Sequence, residues 1–276
     1  MNEPVQLTPA DAGQIAAFTR VACPFDLLST GSVERSLFYE PDDPLLVLGV
    51  FDPGLDAVAG GVVRGKQAWV KFLAVHPRVR LHGIGAALLG RIEDFARTNG
   101  ASTIHVGNSA PFFVVPGVDP RSTEAVCFFQ SKGYSRSGDA VNQSVSLTSL
   151  PEPELACRTA GSEELDAMMP WVREHYAYWI PELTRAVELG TCVVHENLGF
   201  ACYDVQRDGW FGPMATRPDL RGKRGVGTST LLTALHRMKT RGYEHADIVW
   251  SGPLLFYLKT VGARVNRVFW WYTKQL

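Results

Sequence analysis

A glycine-rich pattern that closes an apolar segment and opens an amphipathic one occurs twice in this chain. The first copy spans residues 80–86 (RLHGIGA), and the second spans residues 221–228 (RGKRGVGT). A glycine turn that feeds the start of a helix leaves backbone N–H groups without partners, and the positive end of the helix dipole points the same way. Each copy therefore predicts an anion site, and the repetition predicts two similar domains.

Length and composition narrow the class of protein. A chain of 276 residues suits two domains of ordinary size, and 46% hydrophobic with 20% charged residues is typical of a globular protein. The formal net charge of −1 argues against a chain whose main task is to bind nucleic acid or an anionic membrane. Neither a signal peptide nor a run of about 18 apolar residues is present, so we expect a cytoplasmic protein without a membrane span.

The five cysteines are scattered and form no Cys-x-x-Cys pair. This spacing predicts neither a metal site nor a disulfide framework.

The stretch 149–154 contains two prolines with acidic neighbours, which is typical of an extended linker. It predicts one domain over residues 1–150 and a second over residues 151–276. In each half, strands come first, and the glycine loop is followed by a long helix, a strand, a short helix and a strand. This order predicts an α/β (α+β) fold that is present twice.

Hydrophobic periodicity and turn residues give the approximate bounds of these elements. The predicted strands include residues 45–51, 58–64, 68–75, 103–106, 155–158, 192–195, 199–205, 210–215, 247–250 and 264–272, with a strand pair before residue 147. The main predicted helices are 83–98, 123–132, 162–176, 181–189, 225–240 and 253–261.

This series of elements resembles the GNAT N-acetyltransferase superfamily, whose loop reads Val-x-Pro-x-x-Arg-x-x-Gly-x-Gly. The first copy matches that loop position by position, at Val75, Pro77, Arg80, Gly83 and Gly85. The second copy keeps Pro218, Arg221, Gly225 and Gly227, with Thr216 in place of the valine and one extra residue before Gly225.

An aromatic pair in the short helix is the second family feature. It is Phe128-Phe129 in the first half and Phe256-Tyr257 in the second. The resemblance covers nearly the whole chain and implies two GNAT-like domains in tandem, each a mixed, mostly antiparallel sheet flanked by helices. Mycothiol synthase shows a similar duplication, although no residue here specifies that enzyme.

The resemblance implies an acetyl-CoA-dependent N-acetyltransferase that acts on a small amine by direct transfer. The implied acyl-CoA contacts are Leu73, Val75, Arg80, His82, Gly83, Ile84, Gly85 and Ala86 in the first half. In the second half they are Ala215, Arg221, Lys223, Arg224, Gly225, Val226, Gly227 and Thr228. The alternative for both loops is an ordinary helix start with turn glycines.

Direct transfer needs a base for the ammonium proton, a donor for the developing oxyanion and an acid for the leaving thiolate. Tyr257 matches the family tyrosine that acts as the acid, whereas Phe129 lacks the hydroxyl. The second domain is therefore the expected catalytic half. Three alternatives remain: Tyr257 is a core aromatic residue, the first domain is catalytic without a tyrosine acid, or the protein is a non-catalytic acyl-CoA-binding or scaffold protein.

The base is not determined by the sequence. Its candidates are His105, His175, His195, Glu196 and Asp247, each of which also suits an ordinary structural position. An aromatic cluster formed by His175, Tyr176, Tyr178 and Trp179 predicts either an acceptor pocket or packing between the domains.

The first half carries 14 more residues than the second between the loop and the aromatic pair, that is, between Gly85 and Phe128 compared with Gly227 and Phe256. The extra residues fall around 108–120, where the apolar run 112–115 (FFVV) predicts a loop that is packed rather than solvated.

Overall fold

The computed structural model describes residues 2–222 and 225–276. The chain divides into two compact units. Unit 1 contains the residues up to Ala140 together with Val268–Leu276, and unit 2 is Val141–Arg267. Among the described residues, no helix is both long enough and apolar enough to cross a membrane.

The helices and strands follow the duplicated order expected from the sequence. The first half contains β1 (Val5–Gln6), α1 (Ala12–Ala22), α2 (Thr30–Val33), β2 (Leu45–Phe51), β3 (Leu55–Arg64), β4 (Gln67–Val75), α3 (Ile84–Thr98), β5 (Thr103–Val106), α4 (Thr123–Ser131) and β6 (Ser135–Ser146). The second half contains β7 (Arg158–Thr159), α5 (Ser162–Tyr176), α6 (Ile180–Glu188), β8 (Cys192–His195), β9 (Gly199–Tyr203), β10 (Trp210–Thr216), α7 (Val226–Thr240), β11 (His245–Ile248), α8 (Leu254–Val261) and β12 (Arg264–Gln275).

Unit 1 is built on a sheet with the strand order β1-β2-β3-β4-β5-β12. Every pair is antiparallel except the parallel pair β4–β5. Helix α3 packs one face of this sheet, because Leu88 and Ile92 recur at helical spacing and are buried against Val70 and Ile104. The opposite face is covered by α1, through Ile15 and Phe18, and by α2.

Unit 2 has the corresponding strand order β7-β8-β9-β10-β11-β6. Its one parallel pair is β10–β11, and the other pairs are antiparallel. Helix α7 buries Leu231, Leu235 and Met238 in one core cluster, and α5 and α6 contribute to another. Each unit is thus a mixed, mostly antiparallel sheet flanked by helices, which confirms the fold class expected from the sequence.

The units change over at residue 140, whereas the linker led us to expect a boundary at residue 150. The last residues of β12 belong to unit 1, where Tyr272 is paired with Val106 of β5. The end of β6 belongs to unit 2, where Ser146 is paired with His245 of β11. Because of this backbone pairing, the end of β6 lies in unit 2 and the end of β12 lies in unit 1. No single cut in the sequence therefore separates the two units. The cut at residue 150 remains a prediction.

Local differences from the sequence-based bounds are small. The predicted strand pair before residue 147 is the single strand β6, and the strand predicted over 155–158 is β7 at Arg158–Thr159. Helix α2 was not predicted, because its four residues, TGSV, show no helical periodicity. The 108–120 loop is packed as expected, since Phe112, Phe113 and Val114 are 2%, 3% and 0% exposed.

Candidate active site

The first glycine loop joins β4 to α3. After Val75, a 3-10 turn over Pro77–Val79 leads to Leu81 and Gly83, whose φ angles are 66° and 84°. Glycine adopts this left-handed conformation without strain, whereas it costs leucine about 1–2 kcal/mol. Leu81 is also fully exposed, so no burial of its side chain offsets that cost.

Four backbone amides at the start of α3, those of residues 83–86, donate no hydrogen bond to any residue in 2–222 or 225–276. The first helical bond runs from the Ala87 N–H to the Gly83 carbonyl at 3.0 Å. Free amides at the positive end of a helix bind phosphate, and on this ground the loop fits the diphosphate of an acyl-CoA. Ile84 is buried in the core, so it offers its amide rather than its side chain.

The second glycine of this loop lies against the strand and the aromatic pair. A Cβ atom on Gly85 would lie 3.4 Å from Val75 Cγ2 and 3.7 Å from the Phe128 ring. A larger side chain at Gly85 would therefore have to displace one of these neighbours. Ala86 and Leu73 are half-buried beside the loop, and His82 is exposed.

Arg80 fixes the loop to its surroundings. Its Nε donates to the Val75 carbonyl and its Nη2 to the Ala22 carbonyl, both at 3.1 Å. These bonds link the loop to the end of β4 and to the last turn of α1. A contact between Arg80 and phosphate, expected from the sequence, remains a prediction.

The second loop joins β10 to α7 in a similar way. Gly222 and Gly225 have φ angles of 70° and 67°, which parallel those of Leu81 and Gly83. A Cβ atom on Gly227 would lie 2.9 Å from Thr216 Oγ1, so this turn is tighter than the first one. The other residues expected in this loop are distributed as follows: Val226 and Ala215 are buried, Thr228 is half-buried, and Lys223 and Arg224 lie outside the described residues.

A carboxylate lies at the start of α7. Oε2 of Glu154 is 3.6 Å from the position of a Cβ atom on Gly225. The same linker segment is attached to the first turn of α7, because the Leu155 N–H donates to Ser229 Oγ at 3.1 Å. The partial positive charge at a helix N-terminus attracts a carboxylate as well as a phosphate, so a carboxylate there weakens phosphate binding. The second loop is therefore a less favourable anion site than the first.

Arg221 of the second loop is directed at the aromatic cluster of α5. Its guanidinium carbon lies 5.6 Å from the Tyr176 ring centroid, and its Nη2 donates to the Tyr176 hydroxyl. Tyr176 is buried and stacks on Trp179 at 5.3 Å, whereas His175 and Tyr178 are exposed. The cluster predicted from the sequence thus exists within unit 2 and contacts the loop arginine.

The aromatic pairs occupy corresponding places in the two units. Phe128 lies against Gly85, and the Phe256 ring is 3.9 Å from a Cβ position on Gly227. The second members, Phe129 and Tyr257, are buried in the cores at 4% and 5% exposure. Burial raises the pKa of the Tyr257 phenol well above its usual value, so the hydroxyl is protonated at neutral pH.

Strands β4 and β5 separate beyond the Val70–Val106 pair. Strand β5 ends there, whereas β4 continues to Val75, so its edge is no longer paired with β5. Lys71 lies at the point of separation, in a β-bulge between Val70, opposite Gly61, and Phe72, opposite Gly60. Bulges redirect a side chain and are frequent beside active sites.

Lys71 belongs to a charged group that we call the Glu40 cluster, which consists of Glu40, Asp43, Arg64 and Lys71. Glu40 accepts hydrogen bonds from Lys71 Nζ and, at 2.7 Å, from Arg64 Nη2. Arg64 Nε lies 3.3 Å from Asp43 Oδ2. The Lys71 side chain is fully buried, and this burial lowers its pKa from 10.5 to about 8 against the opposing attraction of Glu40.

Sequence reasoning missed this cluster, although one signal for it was available. Lys71 is the only charged residue in the apolar strand 68–75, and a lysine in such a strand needs a buried partner. Glu40 and Arg64 are remote in sequence, so no local pattern links them to Lys71.

The five candidate bases differ in burial, in their contacts and in their distance from the β4–β5 separation. His105 lies on β5, and burial lowers the pKa of its imidazole, so it is neutral at pH 7. Two others have structural contacts: His195 Nδ1 is 2.9 Å from the Ala156 carbonyl, and Asp247 accepts from Asn266 at 2.9 Å. His175 and Glu196 are exposed. Only His105 among the five lies beside the β4–β5 separation.

Comparisons with known proteins agree with this architecture. Residues 31–111, which include β4 and the first loop, match the family model described as Acetyltransferase (GNAT) family. No curated protein matches the chain in sequence. The matched segment lies within unit 1.

Solved structures resemble the whole chain. A GCN5-related N-acetyltransferase from Sphaerobacter thermophilus has a TM-score of 0.71 at 21% identity and covers 99% of this chain and 95% of its own. A tandem GNAT protein from the clavulanic acid biosynthesis pathway has a TM-score of 0.73 at 18% identity, with 99% and 98% covered. The chain therefore has the tandem GNAT fold.

A third similar structure is a glucosamine N-acetyltransferase region within a fungal multi-domain GH3 beta-N-acetylglucosaminidase. Its TM-score is 0.77 at 17% identity over 99% of this chain. The chain spans 38% of the length of that fungal protein. At these identities the structural likeness shows the fold alone.

Proposed function

We propose that this protein is an acetyl-CoA-dependent N-acetyltransferase that acts on a small amine, with the reaction on unit 1. The observation that carries this proposal is the first loop. Its four free amides begin α3 directly beside the unpaired edge of β4, so one extended ligand can reach both. The match of residues 31–111 to the GNAT family model supports the same unit.

Acetyl-CoA supplies a thioester whose acyl carbon is open to attack by an amine. The amides of residues 83–86 bind the diphosphate, and the unpaired β4 edge offers backbone N–H groups to the acyl arm. The acceptor ammonium first loses one proton to solvent, and the neutral nitrogen then attacks the acyl carbon. As the C–N bond forms, the nitrogen loses a second proton, the C–S bond breaks, and the thiolate takes up one proton to give free CoA. Because a CoA thiol has a pKa near that of cysteine, about 8.5, the thiolate leaves without an obligatory acid.

Two features favour unit 1 over unit 2. Glu154 lies at the second helix start, and Pro213 removes one N–H donor from the unpaired part of β10. Neither feature has a counterpart among the described residues of the first loop and β4. The role of Tyr257 as the acid, expected from the sequence, remains a prediction.

Release of free CoA over a panel of amines tests the activity, and paired glycine variants test its location. In Gly83→Val a branched side chain lies where phosphate binds, so we expect CoA affinity to fall at least about tenfold, or roughly 1.4 kcal/mol. Gly225→Val imposes a similar backbone strain in unit 2, since both glycines have positive φ, and is the matched control.

Circular dichroism and calorimetry on both variants separate misfolding from lost binding. Unchanged affinity in a folded Gly83→Val protein, or an equal loss in both variants, would refute the assignment to unit 1. CoA binding without turnover of any amine would favour the non-catalytic alternative.

A further inference from the structure

Polar side chains gather on the face of the unit 1 sheet that is opposite α3. Ala68, Val70 and Ile104 pack toward α3, so by strand alternation Trp69 and His105 face the other way. Trp69 and His105 are opposite each other in the parallel β4–β5 pair, and their rings are 5.4 Å apart. The Arg64 guanidinium lies over the Trp69 ring, 5.1 Å from its centroid.

Several polar atoms in this region are buried without a hydrogen bond. Within the described part of the chain they are Trp69 Nε1, His105 Nε2 and Ser109 Oγ. Buried polar atoms in folded proteins are almost always paired with protein or water, so three such atoms in one region indicate a missing partner. The indole N–H group can only donate, so that partner must offer an oxygen that accepts.

The surrounding residues hold this region in place. Arg64 donates to Glu40 at 2.7 Å and to the Ala110 carbonyl at 2.6 Å, which links β3 to the 108–120 loop. Ser109, the neighbour of Ala110, is 2% exposed. Phe112 of the same loop packs edge-on against Tyr39 at 4.7 Å, next to Glu40. The 108–120 loop, which unit 2 lacks, is thus a wall of this region.

We propose that Trp69, His105 and Ser109 form an acceptor pocket that recognises a carboxylate on the substrate, so that the acceptor is an amine of the amino-acid class. The inference rests on the proposed acetyltransferase function and specifies its substrate. A carboxylate satisfies a donor-only group with a charge-assisted bond, which is stronger than a bond to a neutral oxygen. An ammonium group cannot serve here, because it has no lone pair to accept from Trp69.

The first test compares amino acids with the amines that remain when the carboxylate is removed. L-leucine is compared with isoamylamine, L-phenylalanine with phenethylamine and L-lysine with cadaverine, in an assay of free CoA release. We expect kcat/KM at least about tenfold higher for the amino acid of an accepted pair, since a bond to a charged group is lost without the carboxylate. Amino-acid amides and methyl esters complete the panel, and equal turnover of these would overturn the requirement for a charge.

The second test assigns the effect to Trp69. Trp69→Phe keeps a ring but removes the N–H, so KM for the carboxylate substrate should rise at least about tenfold more than KM for the decarboxylated amine. Trp210→Phe is the matched control, because Trp210 has the corresponding place in the β10–β11 pair and also lies under an arginine, Arg207, at 4.5 Å. An equal rise in both variants would overturn the proposal.

A binding measurement keeps the proposal testable if Trp69→Phe does not fold or no amine is turned over. In the wild-type protein loaded with CoA, the Trp69 indole N–H resonance should shift when an amino acid of the panel is added, and not with its decarboxylated amine. Ser109→Ala should weaken that shift. A shift without turnover would support the pocket and refute the proposed activity. If amines are turned over but the Trp69 resonance does not shift, the proposed acetyltransferase activity is supported. The carboxylate pocket is then overturned, because only water satisfies its polar atoms.

Discussion

Replacement of Lys71 by methionine tests the Glu40 cluster directly. Methionine has a similar length and no charge, and Arg64 remains to pair Glu40 at 2.7 Å. Because breaking a buried ion pair is costly mainly when it leaves one charge alone, the retained Glu40–Arg64 pair should keep the variant folded. The informative quantity is how the difference in unfolding free energy between wild type and Lys71→Met changes with pH.

The sign of this change follows from the lowered pKa of Lys71. Desolvation lowers it to about 8 in the folded protein from 10.5, with Glu40 and Asp43 opposing the shift and Arg64 adding to it. Between these pH values the unfolded chain binds more protons, so stability rises with pH through this window. A shift of about 2.5 pKa units corresponds to roughly 3 kcal/mol, of which most is gained by pH 10.

Urea unfolding at pH 7, 8, 9 and 10 measures this effect. Wild type should gain about 2–3 kcal/mol relative to Lys71→Met over that range. Lys71→Arg, which keeps its charge throughout, should not show the gain. If the unfolding free energies of wild type and Lys71→Met change with pH in parallel, Lys71 is solvated. The description of the Glu40 cluster as buried would then be wrong.

Three further predictions concern the loops and the aromatic pair. Leu81→Asn should raise the unfolding free energy by about 0.5–1 kcal/mol in thermal melts, because asparagine tolerates the positive φ and the exposed leucine loses no packing; no change would mean that Leu81 is not strained. Glu154→Gln should strengthen binding of a second CoA equivalent in calorimetry, since a carboxylate is removed from the start of α7; unchanged stoichiometry and affinity would count against competition there. Tyr257→Phe should leave CoA release unchanged if unit 1 is catalytic, whereas a fall of about 10²-fold, the low end for general acid catalysis, would move the chemistry to unit 2.

The fold could be predicted from the sequence because its signals are local. Left-handed glycines such as Gly83 and Gly225 mark turns by their own backbone requirement, and the apolar periodicity after them defines α3 and α7. The exchange of strand ends between β6 and β12 could not be predicted, since it depends on which backbone each strand pairs with rather than on its own residues.

The residues of the candidate active site could be predicted from the sequence only where they belong to one continuous segment. The first loop, residues 80–86, is such a segment, and its free amides lie where the pattern leads us to expect them. Glu40 and Lys71 are 31 positions apart and meet only because a bulge turns the lysine out of the regular strand. Glu154 was interpreted as part of a linker, and nothing near it in the sequence indicates its place beside Gly225.

The two units differ at the start of their long helices. Both loop arginines are engaged within the chain, Arg80 by the Val75 and Ala22 carbonyls and Arg221 by Tyr176, and unit 2 also contains a buried polar atom without a partner, Asn142 Nδ2. Arginine contacts and unpaired polar atoms therefore do not distinguish the units. The proposal that the chemistry lies in unit 1 rests instead on Glu154, whose carboxylate lies at the start of α7, and on Pro213, which removes an N–H donor from β10.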